Sequence, residues 1–196
     1  MQKETLWNIF RDPPVLEGER LLLRRLHPLD AEDMYDYAAN PRVSTYLTWH
    51  PHESLDFTRE YLQYIASRYA VGEFYDWAVV EKRSGRMIGT CGFTRIRCED
   101  DVAEIGYVLH PATWGRGYAT EAGNLVLQFG FTRLGLRRIE ARFIEGNTRS
   151  LAVMKKLGMT LEGYLRNDMC IKGVQRTIGI CSILSEEYHG DFKKST

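Results

Sequence analysis

The stretch from Tyr75 to Ile144 constrains the fold most. Tyr75-Asp76-Trp77-Ala78-Val79-Val80 reads as a strand, Arg83-Ser84-Gly85 as a turn, and Met87 to Arg95 as the returning strand. A second turn at Cys98-Glu99-Asp100-Asp101 leads into a third strand, Ala103 to Leu109. Turns this short join only antiparallel neighbours, so the three strands form a meander. Pro111 and a glycine-rich bend then open a helix from Tyr118 to about Arg133, and Arg138 to Ile144 reads as a strand beyond it. That strand, helix and strand make a parallel crossover. A chain obeying both patterns builds a sheet of mixed sense with a helix packed on it.

The flanking segments extend this plan. Upstream lie a strand over Glu19 to Leu26, a helix opened by Pro28-Leu29-Asp30 and running to about Ala39, and a helix from Leu55 to Tyr69. Asn40-Pro41 stops the first helix, because the residue before proline avoids the helical region. A polar and aromatic loop, Tyr46 to Ser54, joins the two helices. Downstream, Ser150 to Leu157 is a helix that Gly158 terminates. Thr160 to Met169 and Gln175 to Leu184 form a hairpin around Lys172-Gly173. The expectation is one α/β (α+β) domain over residues 1–196, with 1–17 as an N-terminal extension. Its mixed, mostly antiparallel sheet has about six to seven strands and carries helices on both faces.

Composition narrows the function classes. Lys plus Arg number 26, and Asp plus Glu also number 26. This balance argues against a nucleic-acid or anionic-membrane binder, which would carry a basic excess. Cys91, Cys98, Cys170 and Cys181 form no C-x-x-C pair, so neither a zinc site nor a redox pair is written here. His50-Pro51-His52 lacks an acidic or thiol partner at ligand spacing, and no metal is expected. The start of the chain lacks the apolar core of a secretory signal, and no apolar run reaches membrane-spanning length. A cytoplasmic protein with free thiols is the expectation.

The bend Trp114-Gly115-Arg116-Gly117-Tyr118-Ala119 carries chemistry. A glycine turn between a strand and a helix start gathers unpaired amides at the positive end of the helix dipole, which suits a phosphate. The alternative is a plain connecting loop. A Walker loop would close on Lys-Ser or Lys-Thr, and neither follows. A dinucleotide fingerprint wants a third Gly or Ala where Thr120 stands, inside a parallel unit rather than after a meander. Further on, Asn147-Thr148-Arg149-Ser150 precedes a helix, and Asn147 is placed to cap it.

Together these residues resemble the GCN5-related N-acetyltransferases, and within them the RimJ/RimL-like ribosomal-protein N-acetyltransferase branch. The resemblance is carried by Ala103-Glu104-Ile105-Gly106-Tyr107-Val108-Leu109, Trp114 through Ala122, Asn147 through Ser150, and Lys156-Leu157-Gly158-Met159. It spans nearly the whole chain, in element order as well as motif. Trp114 departs from the Gln or Arg usual at its slot. The resemblance implies acetyl-CoA as co-substrate, with its pyrophosphate on the main chain of Trp114 to Thr120. Its pantetheine arm would lie in a V between splayed strands, beside Val108 and Leu109, with Asn147 and Ser150 also on the cofactor. Arg116 adds charge there or is merely solvated.

What the resemblance implies for catalysis is an oxyanion stabilised by the amide of Val108 or Leu109, fixed before reaction begins. Glu104 is the nominated proton acceptor, on the strand face of Gly106 and Val108; the alternative is a solvated sheet charge. Asp76, His110 and Glu162 rank below it, as charges in or near turns. Many members place an acid Tyr where this chain has Met154, so that route is closed. Ser150 either relays a proton or caps the helix beside Asn147. Tyr46, Trp49, His50 and His52 are expected on the acceptor side, or else packed on one another. Trp77 is expected in the core, the alternative being the wall of the acceptor cleft. The acceptor would be a protein N-terminal or small-molecule amine, with a homodimer through the terminal strands plausible. A non-catalytic acyl-CoA sensor is the competing class.

Overall fold

The meander forms as its turns require. In the computed structural model, which describes residues 2–189, β3 (Tyr75–Glu81), β4 (Met87–Arg97) and β5 (Val102–Leu109) pair antiparallel in sequence order. The crossover follows: α5 (Tyr118–Thr132) leads to β6 (Arg138–Ile144), which lies parallel to β5. The hairpin β7 (Thr160–Ile171) and β8 (Val174–Leu184) inserts in reverse order, so β6 pairs with β8 and β7 takes the edge.

The sheet has eight strands, ordered β1-β2-β3-β4-β5-β6-β8-β7. The extra one is β1 (Leu16–Glu17), which turns at Gly18 to pair with β2 (Leu21–Arg24). The segment expected to be an extension is therefore built into the sheet. It also holds α1 (Lys3–Arg11), whose Leu6 and Phe10 are buried. Phe10 meets Tyr75, Trp77 and Phe129 edge-to-face, at centroid distances of 4.9, 5.4 and 6.1 Å. Burying each such side chain contributes roughly 1.5–3 kcal/mol, enough to hold a short helix that would not stand alone.

Helices cover both faces. On one, α1, α5 and α6 (Thr148–Lys156) pack over Trp77, Val79, Ile105 and Ile139. On the other, α2 (Ala31–Ala38) and α4 (Leu55–Ala70) pack over Ala78, Met87 and Val108. Trp77 is fully buried, with its Nε1 donating to the Pro14 carbonyl at 2.9 Å. Pro41 does end one helix, but it also opens α3 (Pro41–Ser44), which Asn40 caps through Arg42 N. All four cysteines are free thiols. Among the described residues, no helix is long and apolar enough to cross a membrane.

Candidate active site

A parallel pair of strands normally continues as a ladder. Here β5 and β6 pair only where Val102, Ala103 and Glu104 face Arg138, Ile139 and Glu140. Beyond that point β5 stays with β4 as far as Leu109, while β6 stays with β8 as far as Ile144. The register of β4 against β5 shifts between Phe93 and Arg95, at the level where the strands part. A bulge of this kind bends its strand and increases the local twist. The result is a V whose β5 edge, from Ile105 to Leu109, has no strand neighbour on the β6 side. It opens into a cleft of about 1620 Å³ that runs between the two helical layers.

At the open end stands the glycine bend. Gly115 and Gly117 both have positive φ, 76° and 79°, a region where other residues are strained. Gly117 is the N-cap of α5, and no side chain caps it. The amides of Gly117, Tyr118, Ala119 and Thr120 make no described hydrogen bond, as at any uncapped helix start. They lie at the wall of the cleft, at the positive end of the helix dipole, an arrangement chemically suited to an anion. Arg116 itself does not line the cleft; its charge acts on Glu81. The Trp114 indole donates to the Leu109 carbonyl at 2.8 Å, tying the bend to the end of β5. Arg149 lies 4.8 Å from the Trp114 ring and Arg42 lies 5.7 Å from it, and both line the cleft.

A brace beneath the bend was not anticipated from sequence. Arg20 donates through Nε to Glu121 at 2.7 Å and through Nη1 to the Arg116 carbonyl at 2.8 Å. Its guanidinium also stacks on Tyr118 at 4.6 Å. Glu121 accepts the backbone amides of Arg20 and Leu21 as well. Tyr118 donates its hydroxyl to Glu81 at 2.6 Å. The only sequence signal was Glu121 in the first helical turn; its partner is distant in the chain.

Where β5 parts from β6, Tyr107 reaches across to α6. Its hydroxyl lies 3.0 Å from Ser150 Oγ and donates to the Ser150 carbonyl at 3.1 Å. Burial pushes the phenol well above its ordinary pKa, so it stays protonated. Asn147 Oδ1 accepts the Ser150 amide at 3.2 Å, the capping role expected of it. The Ser150 hydroxyl thus lines the cleft while held by Tyr107. Met154 is buried in the core, away from any role as acid.

Glu104 sits at the closed end of the V. Thr94 donates to its Oε1 at 3.0 Å, and Arg142 Nε approaches Oε2 at 3.5 Å. The other nominated groups separate sharply. Glu162 is clamped by Arg138 and Ser182, and their hydrogen bonds hold its pKa near about 2. His110 caps the turn Pro111–Thr113, accepting Ala112 N at 3.1 Å. Both are structural.

Asp76 differs from its description as a turn charge. It lies within β3, and its carboxyl stands at the floor of the cleft, accepting Trp77 N at 3.0 Å and bonded to Thr90. Desolvation pushes its pKa up to about 7, with the Thr90 and Trp77 hydrogen bonds only partly offsetting burial. The sequence could not reveal this, because the depth of Asp76 depends on α4, whose Tyr69 donates to the Asp76 carbonyl. Tyr46, Trp49, His50 and His52 do line the cleft. His52 bonds to Thr58 Oγ1 at 2.8 Å and packs against Trp49, Phe57 and Tyr61. Burial lowers its pKa, which favours the neutral ring. Among the described residues, no group of His, Cys, Asp and Glu is placed to hold a metal ion.

This arrangement has clear relatives. A model described as the acetyltransferase (GNAT) domain matches residues 20–160. The uncharacterized N-acetyltransferase p20 of Bacillus licheniformis is 36% identical over 175 residues, covering 89% of this chain and 98% of that protein. The crystal structure of a GNAT-family acetyltransferase from Bacillus anthracis superposes with a TM-score of 0.79 at 27% identity, covering 88% of this chain and 99% of the other. A ribosomal-protein-S5-alanine acetyltransferase from Vibrio fischeri shares the fold, with a TM-score of 0.73 at 23% identity and coverage of 88% and 97%. The chain belongs to the GNAT family and is an acetyltransferase.

Proposed function

We propose that this enzyme moves an acetyl group from acetyl-CoA to a primary amine by direct attack in a ternary complex. The observation that carries this reading is a continuity: the β5 edge from Ile105 to Leu109, open on the β6 side, and the amides at the start of α5, eight residues further on, line one cleft. The edge suits an amide-bearing pantetheine chain, and the amides form a cradle that suits a pyrophosphate. Arg149, over the Trp114 ring, and Lys156 both line the cleft, and Arg149 supplies positive charge beside the phosphates.

In this reading the amide of Val108 or Leu109 stabilises the oxyanion that develops as the amine attacks the thioester carbon. The amine nitrogen forms the new bond, and the carbon–sulfur bond breaks. Glu104, directly or through water, accepts the proton released by the amine. Ser150 donates a proton toward the departing thiolate, held by Tyr107 in the orientation that allows it. Holding both substrates in one cleft supplies much of the remaining rate. The acceptor is a peptide N-terminal amine or a small-molecule amine. The test is thiol release from acetyl-CoA across a panel of amines and N-terminal Ala and Ser peptides. Release that depends on an amine supports the reading; tight CoA binding with no turnover on any acceptor points instead to a sensor.

A further inference from the structure

Asp76 is a carboxylate that the acetyl-transfer steps above do not use. Among the described residues no Lys or Arg pairs with it, although carboxylates at this depth are normally matched by a cation. The groups within electrostatic reach are Tyr37 on α2, Tyr61 and Tyr69 on α4, and Cys91 on β4, with Thr90 bonded to it. Burial pushes the three phenols and the thiol upward and holds nearby His52 down, so all of them are neutral near pH 7. Tyr37, Trp49, Phe57, Tyr61 and Phe74 line the same cleft. A carboxylate without a cationic partner, in a cleft lined by aromatic side chains, matches an organic ammonium through charge pairing and cation–π attraction.

Register places this group relative to the V. Asp76 lies directly across from Gly92, and Gly92 directly across from Gly106, so the three form one row over the sheet. Both glycines face the same layer as Asp76; the Asp76 carboxyl reaches over Gly92, and the Thr94 methyl lies over Gly106. Two strand spacings of ~4.8 Å separate the backbones of Asp76 and Gly106 by roughly 10 Å, and an acceptor beside the open edge of β5 lies beyond Gly106, on the far side from the carboxyl. That is too far for direct contact with an amine attacking beside β5, and within reach of a second charge on the same acceptor.

We propose that Asp76 and the rings of Tyr37 and Tyr61 form a subsite for a second ammonium group, so that the preferred acceptors are short aliphatic diamines. The proposal rests on the amine-acetylation reading above. It carries a pH signature of its own: a bound ammonium needs the carboxylate, so selectivity for diamines rises as pH increases through about 7, the range in which Asp76 ionises.

The test compares kcat/KM for tetramethylenediamine and hexamethylenediamine with that for butylamine and hexylamine. The native enzyme should favour the diamine of each pair by about tenfold or more, the scale of one charge-assisted hydrogen bond. In Asp76→Asn that ratio should fall toward one. A ratio near one in the native enzyme, or one that Asp76→Asn leaves unchanged, overturns the proposal. The unchanged ratio with equal losses on both amines would mark Asp76 as a general proton acceptor. Tyr61→Leu keeps the carboxylate and removes a ring; it should lower the ratio partway, and an unaltered ratio there counts against the subsite even if Asp76→Asn fails to fold. If no amine is acetylated at all, the catalytic reading fails, but calorimetry with tetramethylenediamine still decides the subsite. Binding that Asp76→Asn abolishes supports it, and no binding to the native protein refutes it.

Discussion

Replacing Gly117 with Val tests the cradle at its hinge. Gly117 has φ 79° and caps α5, and an added Cβ would stand 3.4 Å from Arg20 Nη2. The first methyl therefore fits without collision, and the damage comes from two other sources. A left-handed backbone costs a non-glycine residue roughly 1–2 kcal/mol, with a branched side chain at the upper end. The branch also presses on the arginine that holds the Arg116 carbonyl. Either strain turns the amides of α5 away from their common focus. Losing two charge-assisted hydrogen bonds to phosphate, at about 1.5–3 kcal/mol each, weakens CoA binding by roughly 10²–10⁴-fold. Gly135→Val is the matched control, since Gly135 has φ 66° with nothing within 4 Å of an added Cβ. Calorimetry with CoA, alongside thermal melting, should show both variants destabilised and only Gly117→Val impaired in binding. A folded Gly117→Val protein with native affinity would refute the cradle.

Glu104→Gln should lower kcat while leaving CoA affinity near native; unchanged turnover across pH would remove Glu104 as the proton acceptor. Tyr107→Phe frees Ser150 of its hydroxyl partner, and we expect lower kcat and a loss of about 1 kcal/mol in stability, read from urea unfolding. Asp76 also makes stability depend on pH. Its folded pKa of about 7 lies above the ordinary 3.8, so between these values the native state holds a proton that the unfolded chain has released. Stability therefore falls as pH rises across that window, by about 4 kcal/mol at most and nearer ~1–2 because the carboxyl opens to a solvated cleft. Asp76→Asn should flatten this slope between about pH 4 and 7, and a slope that persists would argue against the buried carboxyl. Arg20→Ala removes the brace under the bend, and a CoA affinity equal to native would show that the bend holds its shape alone.

The elements were legible where one local rule decided them. Short turns fixed the meander of β3, β4 and β5, and the glycine bend marked the start of α5. Gly158 marked the end of α6. The functional ordering of carboxylates was not legible. Asp76, Glu104 and Glu162 all lie on strands, and their difference arises from what packs on them: an aromatic layer from α2 and α4, a Thr94 and Arg142 pair, and an Arg138 clamp. The role of the N-terminal segment was hidden for a related reason. Leu6 and Phe10 carry helical spacing, but their burial depends on Tyr75, Trp77 and Phe129, far along the chain. The opening of the V was expected only through family resemblance, and its immediate correlate, the register shift between Phe93 and Arg95, leaves no mark in a single sequence.

The central claim is that acetyl-CoA lies in the V with its pyrophosphate on the α5 amides. An amide-resolved NMR titration with acetyl-CoA tests it most directly. The account predicts saturable shifts concentrated at Gly115, Gly117, Tyr118, Ala119 and Thr120 and along Tyr107, Val108 and Leu109. Saturable binding that leaves those amides in place while perturbing another surface would contradict it.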